Sequence, residues 1–102
     1  MTRIILRLQA KRNLNTIENY IGRDNPHRAL SFVKELRKKC QELDIFPNRG
    51  VQLPSLNNNN NIRCLTHGNY LIFYRYLEDQ DIVFIIRITE HHQDMSRIKF
   101  ED

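Results

Sequence analysis

A chain of 102 residues has room for one domain, and at this size only about two thirds of the unfolded surface can be buried, so one modest core is expected. Two cysteines with no close spacing, Cys40 and Cys64, argue against a disulfide scaffold and against a zinc site, and the longest unbroken apolar run, Ile82-Val83-Phe84-Ile85-Ile86, is too short to cross a bilayer. The net charge is +4, but residues 1–39 hold ten basic and three acidic groups while residues 40–102 hold six and nine, so the first part is suited to an acidic partner, either nucleic acid or an acidic protein segment, unless it is simply a solvated helix surface.

The chain opens with Ile4, Leu6 and Leu8 alternating with Arg3, Ile5 and Arg7, the pattern of a β-strand with one strongly apolar face. Arg stands where a secretory signal would need a long apolar stretch, which points to a cytoplasmic protein with no membrane contact. The period then changes: Ala10, Leu14, Ile17 and Ile21 recur at helical spacing beside Tyr20, and Gly22 suits the end of that helix. No clear cap marks its start.

Asn25-Pro26 starts a second helix, with Asn25 as its cap and Pro26 at the first position, where no backbone donor is needed. Ala29, Phe32, Val33, Leu36, Cys40 and Leu43 form its apolar stripe, with Lys34, Arg37, Lys38 and Gln41 opposite. So short a link predicts an antiparallel helical hairpin, and Pro47 and Gly50 close the helical region. Residues 51–61 are expected to be a loop, and the asparagine run Asn57–Asn61 carries no assigned role.

Three strands are predicted next: a short one at Ile62–Leu65, a turn at His67-Gly68-Asn69, the aromatic strand Tyr70–Leu77, a polar turn at Glu78–Asp81, and Ile82–Thr89, apolar enough to be central and covered on both faces. The order is β-α-α-β-β-β in a single α+β domain over residues 1–102, with 95–102 as a polar tail. The helical hairpin packs on one face of a small, mainly antiparallel sheet that the first strand must rejoin. Phe32, Leu36, Phe73 and Ile85 are expected between helices and sheet, leaving the other face open for Arg and Tyr side chains to meet a ligand.

In this order, certain residues resemble the RelE/ParE toxin superfamily, and more closely its ParE branch. They are Ala10, Asn13-Leu14, Ile17 and Tyr20-Ile21; Asn25-Pro26 with Ala29, Phe32, Leu36 and Leu43; Pro47 with Gly50; Ile62-Arg63; Gly68-Asn69-Tyr70-Leu71-Ile72-Phe73-Tyr74-Arg75; and Ile85-Ile86-Arg87-Ile88 followed by His91, His92 and Asp94. Two positions depart from the pattern. The first helix lacks the usual acidic residue before Leu14, and the last strand exits through Thr89-Glu90-His91-His92 where a Leu-His pair is commoner.

The resemblance implies the toxin of a bacterial type II toxin–antitoxin pair, of a kind that stabilises plasmids. ParE-like members poison DNA gyrase without catalysis; RelE-like members cut messenger RNA on the ribosome; an inactive relative would only bind an antitoxin and help repress its operon. The implied partners are an acidic ParD-like antitoxin, gyrase as target, and DNA only indirectly through the antitoxin complex, with no cofactor and no metal.

Antitoxin-binding candidates on the basic helices are Arg12, Arg28, Lys34, Arg37 and Lys38. Target-binding candidates are Arg63, Tyr70, Arg75, Arg87, His91 and Asp94. Cleavage would need cations and a proton carrier, for which Arg63, Arg87, His91 and His92 are the candidates. Residues 50–95 contain three Arg and no Lys, few cations for a phosphate-cleaving surface, which favours the non-enzymatic reading. Any of these residues could instead be an ordinary surface group or half of a structural ion pair.

Overall fold

A computed structural model describes residues 2–53 and 61–90. The asparagines 57–60, His91, His92, Asp94 and the tail lie outside the described residues. The elements run β1 (Arg3–Leu6), α1 (Leu8–Gly22), α2 (Pro26–Gln41), a 3-10 turn (Glu42–Asp44), β2 (Val51–Gln52), β3 (Ile62–His67), β4 (Tyr70–Leu77) and β5 (Ile82–Glu90).

The sheet has five strands in the order β1-β5-β4-β3-β2. β3, β4 and β5 form the expected antiparallel meander, and β1 returns beside β5 in parallel, Arg3 against Ile82 and Leu6 against Ile85. A strand paired on both sides explains the apolar run of β5, although β4 holds the middle of the sheet. β2 corrects the expectation of a loop from residue 51. Val51 and Gln52 pair with Cys64 and Arg63, because Gly50, pinned from behind, aims them along the free edge of β3.

The helices form as their periodicity predicts. Asn25 caps α2, its Oδ1 accepting the Arg28 N–H at 3.0 Å, while α1 starts at Arg7 with no side-chain cap. Leu8 departs from the strand pattern: it begins α1 and is 61% exposed, so the apolar face of β1 consists of Ile4 and Leu6 alone.

Pairing register assigns each strand residue to a face, since directly opposed residues share one. Ile72, Tyr74, Val83, Ile85 and Ile88 join Leu14, Phe32, Leu36 and Leu43 in the core beneath the helices, and Tyr70 and Tyr76 pack against it. Phe73 does not. It is wholly buried, but on the far face, in a second small cluster with Ile62, Leu71 and Ile86. The expected placement of Phe73 under the hairpin is therefore wrong by one residue of strand parity, and the tyrosines of β4 point to the helices rather than to the far face.

A bulge lies at this point. Pairing shifts between Phe73 and Tyr74, opposite Ile86, so Tyr74 faces Ile85 while Phe73 faces Arg87. The extra residue leaves Ile86 and Arg87 both on the far face, two residues against one.

Candidate functional site

Arg12, Lys34, Arg37 and Lys38 are exposed on the hairpin, and exposed Leu30 lies one turn before Lys34, an apolar anchor within a basic field. Arg28 is engaged inside the chain. Its guanidinium meets Glu35 at 2.6 Å and Ser31 at 3.2 Å and lies 5.0 Å above the Phe32 ring. Glu35 in turn meets His67 Nε2 at 3.3 Å, which ties α2 to the end of β3. The hydrogen bond from Arg28, and then the one with His67, hold the Glu35 carboxyl below its ordinary range. The Phe32 ring is 5.6 Å from that of His67 and 5.4 Å from that of Tyr70, completing the join.

A cleft of about 210 Å³ opens where α1 crosses the end of β5. β1 pairs with β5 only as far as Leu6, after which the chain turns into α1. The next inward edge of β5 is met by a side chain: Asn13 Oδ1 accepts the Ile88 N–H at 3.0 Å. Asn13, Thr16 and Tyr20 form one wall of the cleft, Arg87 to Glu90 the other, and Tyr70 its floor beside Ile17. Burial, then the charges of Glu90 and Tyr20, push the Tyr70 phenol up, so it stays a neutral hydrogen-bonding ring. Of the target-binding candidates, Tyr70 lies in the cleft and Arg87 borders it, while the pairing of Arg87 with Phe73 assigns its side chain to the far face.

Arg63 and Arg75 lie elsewhere. Arg63 pairs across β3 with Tyr74 and donates to Asn48 O at 3.1 Å and Gly50 O at 2.8 Å, bracing the loop before β2. Tyr74 completes that brace: its hydroxyl donates to Pro47 O at 2.8 Å and accepts the Gly50 N–H at 2.7 Å. Arg75 stands on the far face opposite Phe84. Arg63 and Arg87 thus occupy opposite faces of the sheet.

One residue on the far face, Arg7, escaped sequence reasoning. Arg7 extends the β1 pairing, its N–H bonding Ile85 O at 2.9 Å, and its guanidinium lies 4.2 Å above the Phe84 ring. The Nε atoms of Arg7 and Arg87 are both buried with no hydrogen-bond partner among the described residues, a state that costs about 1–3 kcal/mol per unsatisfied group. The alternation of Arg3, Ile5 and Arg7 carried the signal, but counting cations only from residue 50 onward left it out.

Burial pushes the Cys40 thiol up to about 12 and the Cys64 thiol up to about 11, so both stay protonated and unreactive. Among the described residues no group of three or more His, Cys, Asp or Glu could hold a metal ion, and no helix is long and apolar enough to cross a membrane.

Comparison with known proteins bears on the whole arrangement. No curated protein sequence matches the chain. A solved structure of the chromosomal ParDE TA system from P. aeruginosa is similar in fold, with a TM-score of 0.73 at 22% identity over 88% of this chain and 96% of that one. The family model described as the ParE toxin of the type II toxin–antitoxin system parDE matches residues 4–95, nearly the full length, and the chain belongs to that family.

Proposed function

We propose that this ParE family member inhibits DNA gyrase in the cytoplasm without catalysis and is neutralised by an acidic ParD-like antitoxin. The carrying observation is that Arg63 and Arg87, the two cations that RNA cleavage would require together, lie on opposite faces of the sheet, with Arg63 committed to backbone carbonyls. Stabilising one pentavalent phosphate needs both groups within hydrogen-bond reach of it.

The antitoxin reading rests on Lys34, Arg37 and Lys38 around exposed Leu30. A disordered acidic segment folding onto such a surface gains encounter rate from charge and affinity from the apolar anchor. Target contact is assigned to the cleft that holds Tyr70 and that Arg87 borders, with His91 and Asp94 following β5 in sequence.

A second reading, ribosome-dependent cleavage of messenger RNA, draws support from Arg3 and Arg7, which add cations to the sheet beyond the three Arg of residues 50–95. Purified protein, incubated with gyrase and supercoiled plasmid beside programmed ribosomes, separates the two. Gyrase arrest with intact message is the expected result; codon-specific cuts with unaffected gyrase would overturn it. Loss of neither, together with growth unharmed by expression, would mark an inactive antitoxin-binding relative.

A further inference from the structure

We infer that the cleft between α1 and the end of β5 is a socket for one arginine side chain of the protein that the toxin engages, which rests on the reading of this cleft as the target contact. Asn13, Thr16, Ile17 and Tyr20 share one face of α1, since each follows the last by one turn or a single step. Ile88 and Glu90 turn toward that face from β5, because they oppose Ile72 and Tyr70 on the helix side of the sheet. The space between is about 210 Å³. Pockets for small molecules run to roughly 300–1,000 Å³, so this one is sized for a single side chain.

Two aromatic rings line it. Tyr70 forms the floor, and its ring is positioned by that of Phe32 at 5.4 Å. Tyr20 is 64% exposed and stands at the rim, so its ring is free to settle on an incoming group. A guanidinium is planar, delocalised and weakly hydrated, and it lies against tyrosine rings at little desolvation cost.

The sign of the local field selects a cation. Glu90 stands directly across from Tyr70, and after burial its charge is the main influence holding the Tyr70 phenol up. Tyr20 lies in the last turn of α1, the negative end of the helix dipole, and that turn carries no basic residue. Arg23, which caps the helix, lines a separate groove with Glu18 and Pro26. Arg87 is the one basic residue bordering the cleft among the described residues, and its pairing with Phe73 assigns its side chain to the far face. An acidic segment is therefore disfavoured here and favoured at Lys34, Arg37 and Lys38. The toxin thus presents surfaces of opposite preference, so the socket and the antitoxin face take different partners.

The test is an NMR titration of the full chain with N-acetyl-arginine amide, beside the corresponding derivatives of citrulline, lysine and glutamate. Citrulline keeps the shape of arginine and lacks its charge. Saturable shifts at the amides of Asn13, Tyr20, Tyr70 and Ile88 are expected with the arginine probe, at millimolar affinity. The citrulline probe should bind several-fold more weakly, and the glutamate probe should leave these amides unmoved. Tyr20→Ala should weaken arginine binding several-fold, whereas Tyr20→Phe, which keeps the ring face, should bind as the parent does. Glu90→Gln should weaken it several-fold and flatten its dependence on salt.

The socket is overturned if the arginine probe gives no saturable shift at these amides, or if citrulline binds as tightly. It is overturned equally if lysine binds more tightly than arginine, or if Tyr20→Ala, folded by circular dichroism, binds as the parent does. The same protein is assayed with gyrase and supercoiled plasmid. Gyrase arrest without arginine binding would sink the socket and leave the target reading standing. Arginine binding without gyrase arrest would sustain the socket and sink gyrase as the target.

Discussion

Asn13 takes the place of a strand residue beside Ile88, its side-chain oxygen accepting the backbone N–H that β1, already turned into α1, no longer reaches. Asn13→Ala leaves that donor without an acceptor at the mouth of the cleft, and a loss of about 1–3 kcal/mol is expected. A lowered urea midpoint at unchanged slope would register it. Exposed Asn15→Ala serves as the control and should be neutral.

The brace between Tyr74 and Gly50 should behave as a coupled pair. Tyr74→Phe strands the Gly50 N–H and the Pro47 carbonyl and should cost about 1–3 kcal/mol. Gly50→Ala places a methyl 2.7 Å from the Tyr74 ring and hydroxyl, so one of the two must move. Once either change has broken the brace the other has less to lose, and a double-mutant cycle should show the combined loss smaller than the sum. Additive losses would mean that the two residues act separately.

Phe73→Ala removes a wholly buried ring from the smaller cluster on the far face and should cost about 3–5 kcal/mol despite its distance from the helices. Thermal melting reads this directly.

Acid should loosen the join between α2 and β3. The folded-state pKa of Glu35 lies below its ordinary 4.5, first through Arg28 and then through His67. A depressed carboxylate contributes stability that is complete above the unfolded value and is lost as pH falls through the folded one. Asp81, lowered from 3.8 by Thr2 and then Tyr76, acts in the same direction. The melting temperature should therefore fall below about pH 4.5, and Glu35→Gln should make that fall shallower. An unchanged pH profile in Glu35→Gln would show that the Arg28–Glu35–His67 chain contributes nothing to stability.

Most of the fold could be read from residue order because its signals are local. The helices announced themselves by period and by the Asn25-Pro26 start, and β4 by its aromatic run. What failed depended on partners distant in sequence. The strand at Val51–Gln52 exists because β3 offers an edge, which no local pattern reveals. Alternation separates Phe73 from Tyr74, but which of the two sets faces the helices depends on how the hairpin packs on the sheet, and the bulge at Ile86 in β5 then sets the face of Arg87. Of the candidate residues, Tyr70 lies in the cleft beside α1 and Arg87 borders it, whereas Arg63 looked like a ligand-binding cation and donates to carbonyls in a loop fifteen and thirteen residues earlier, a partnership no local pattern reveals. Arg7 was visible in the alternation of β1, but its meaning appeared only once β1 lay beside β5.

The parallel pairing of β1 with β5 also sets the order of events during synthesis. β1 is made long before its partner; Thr2 and Asp81, which bond at 2.6 Å, stand 79 residues apart. Closing so long a loop is entropically costly and slow compared with forming the helical hairpin, whose contacts are nearly all local. A nascent chain thus carries a finished basic hairpin while β1 still waits, and any chain broken off before Val83 leaves Ile4 and Leu6 without a strand to lie against.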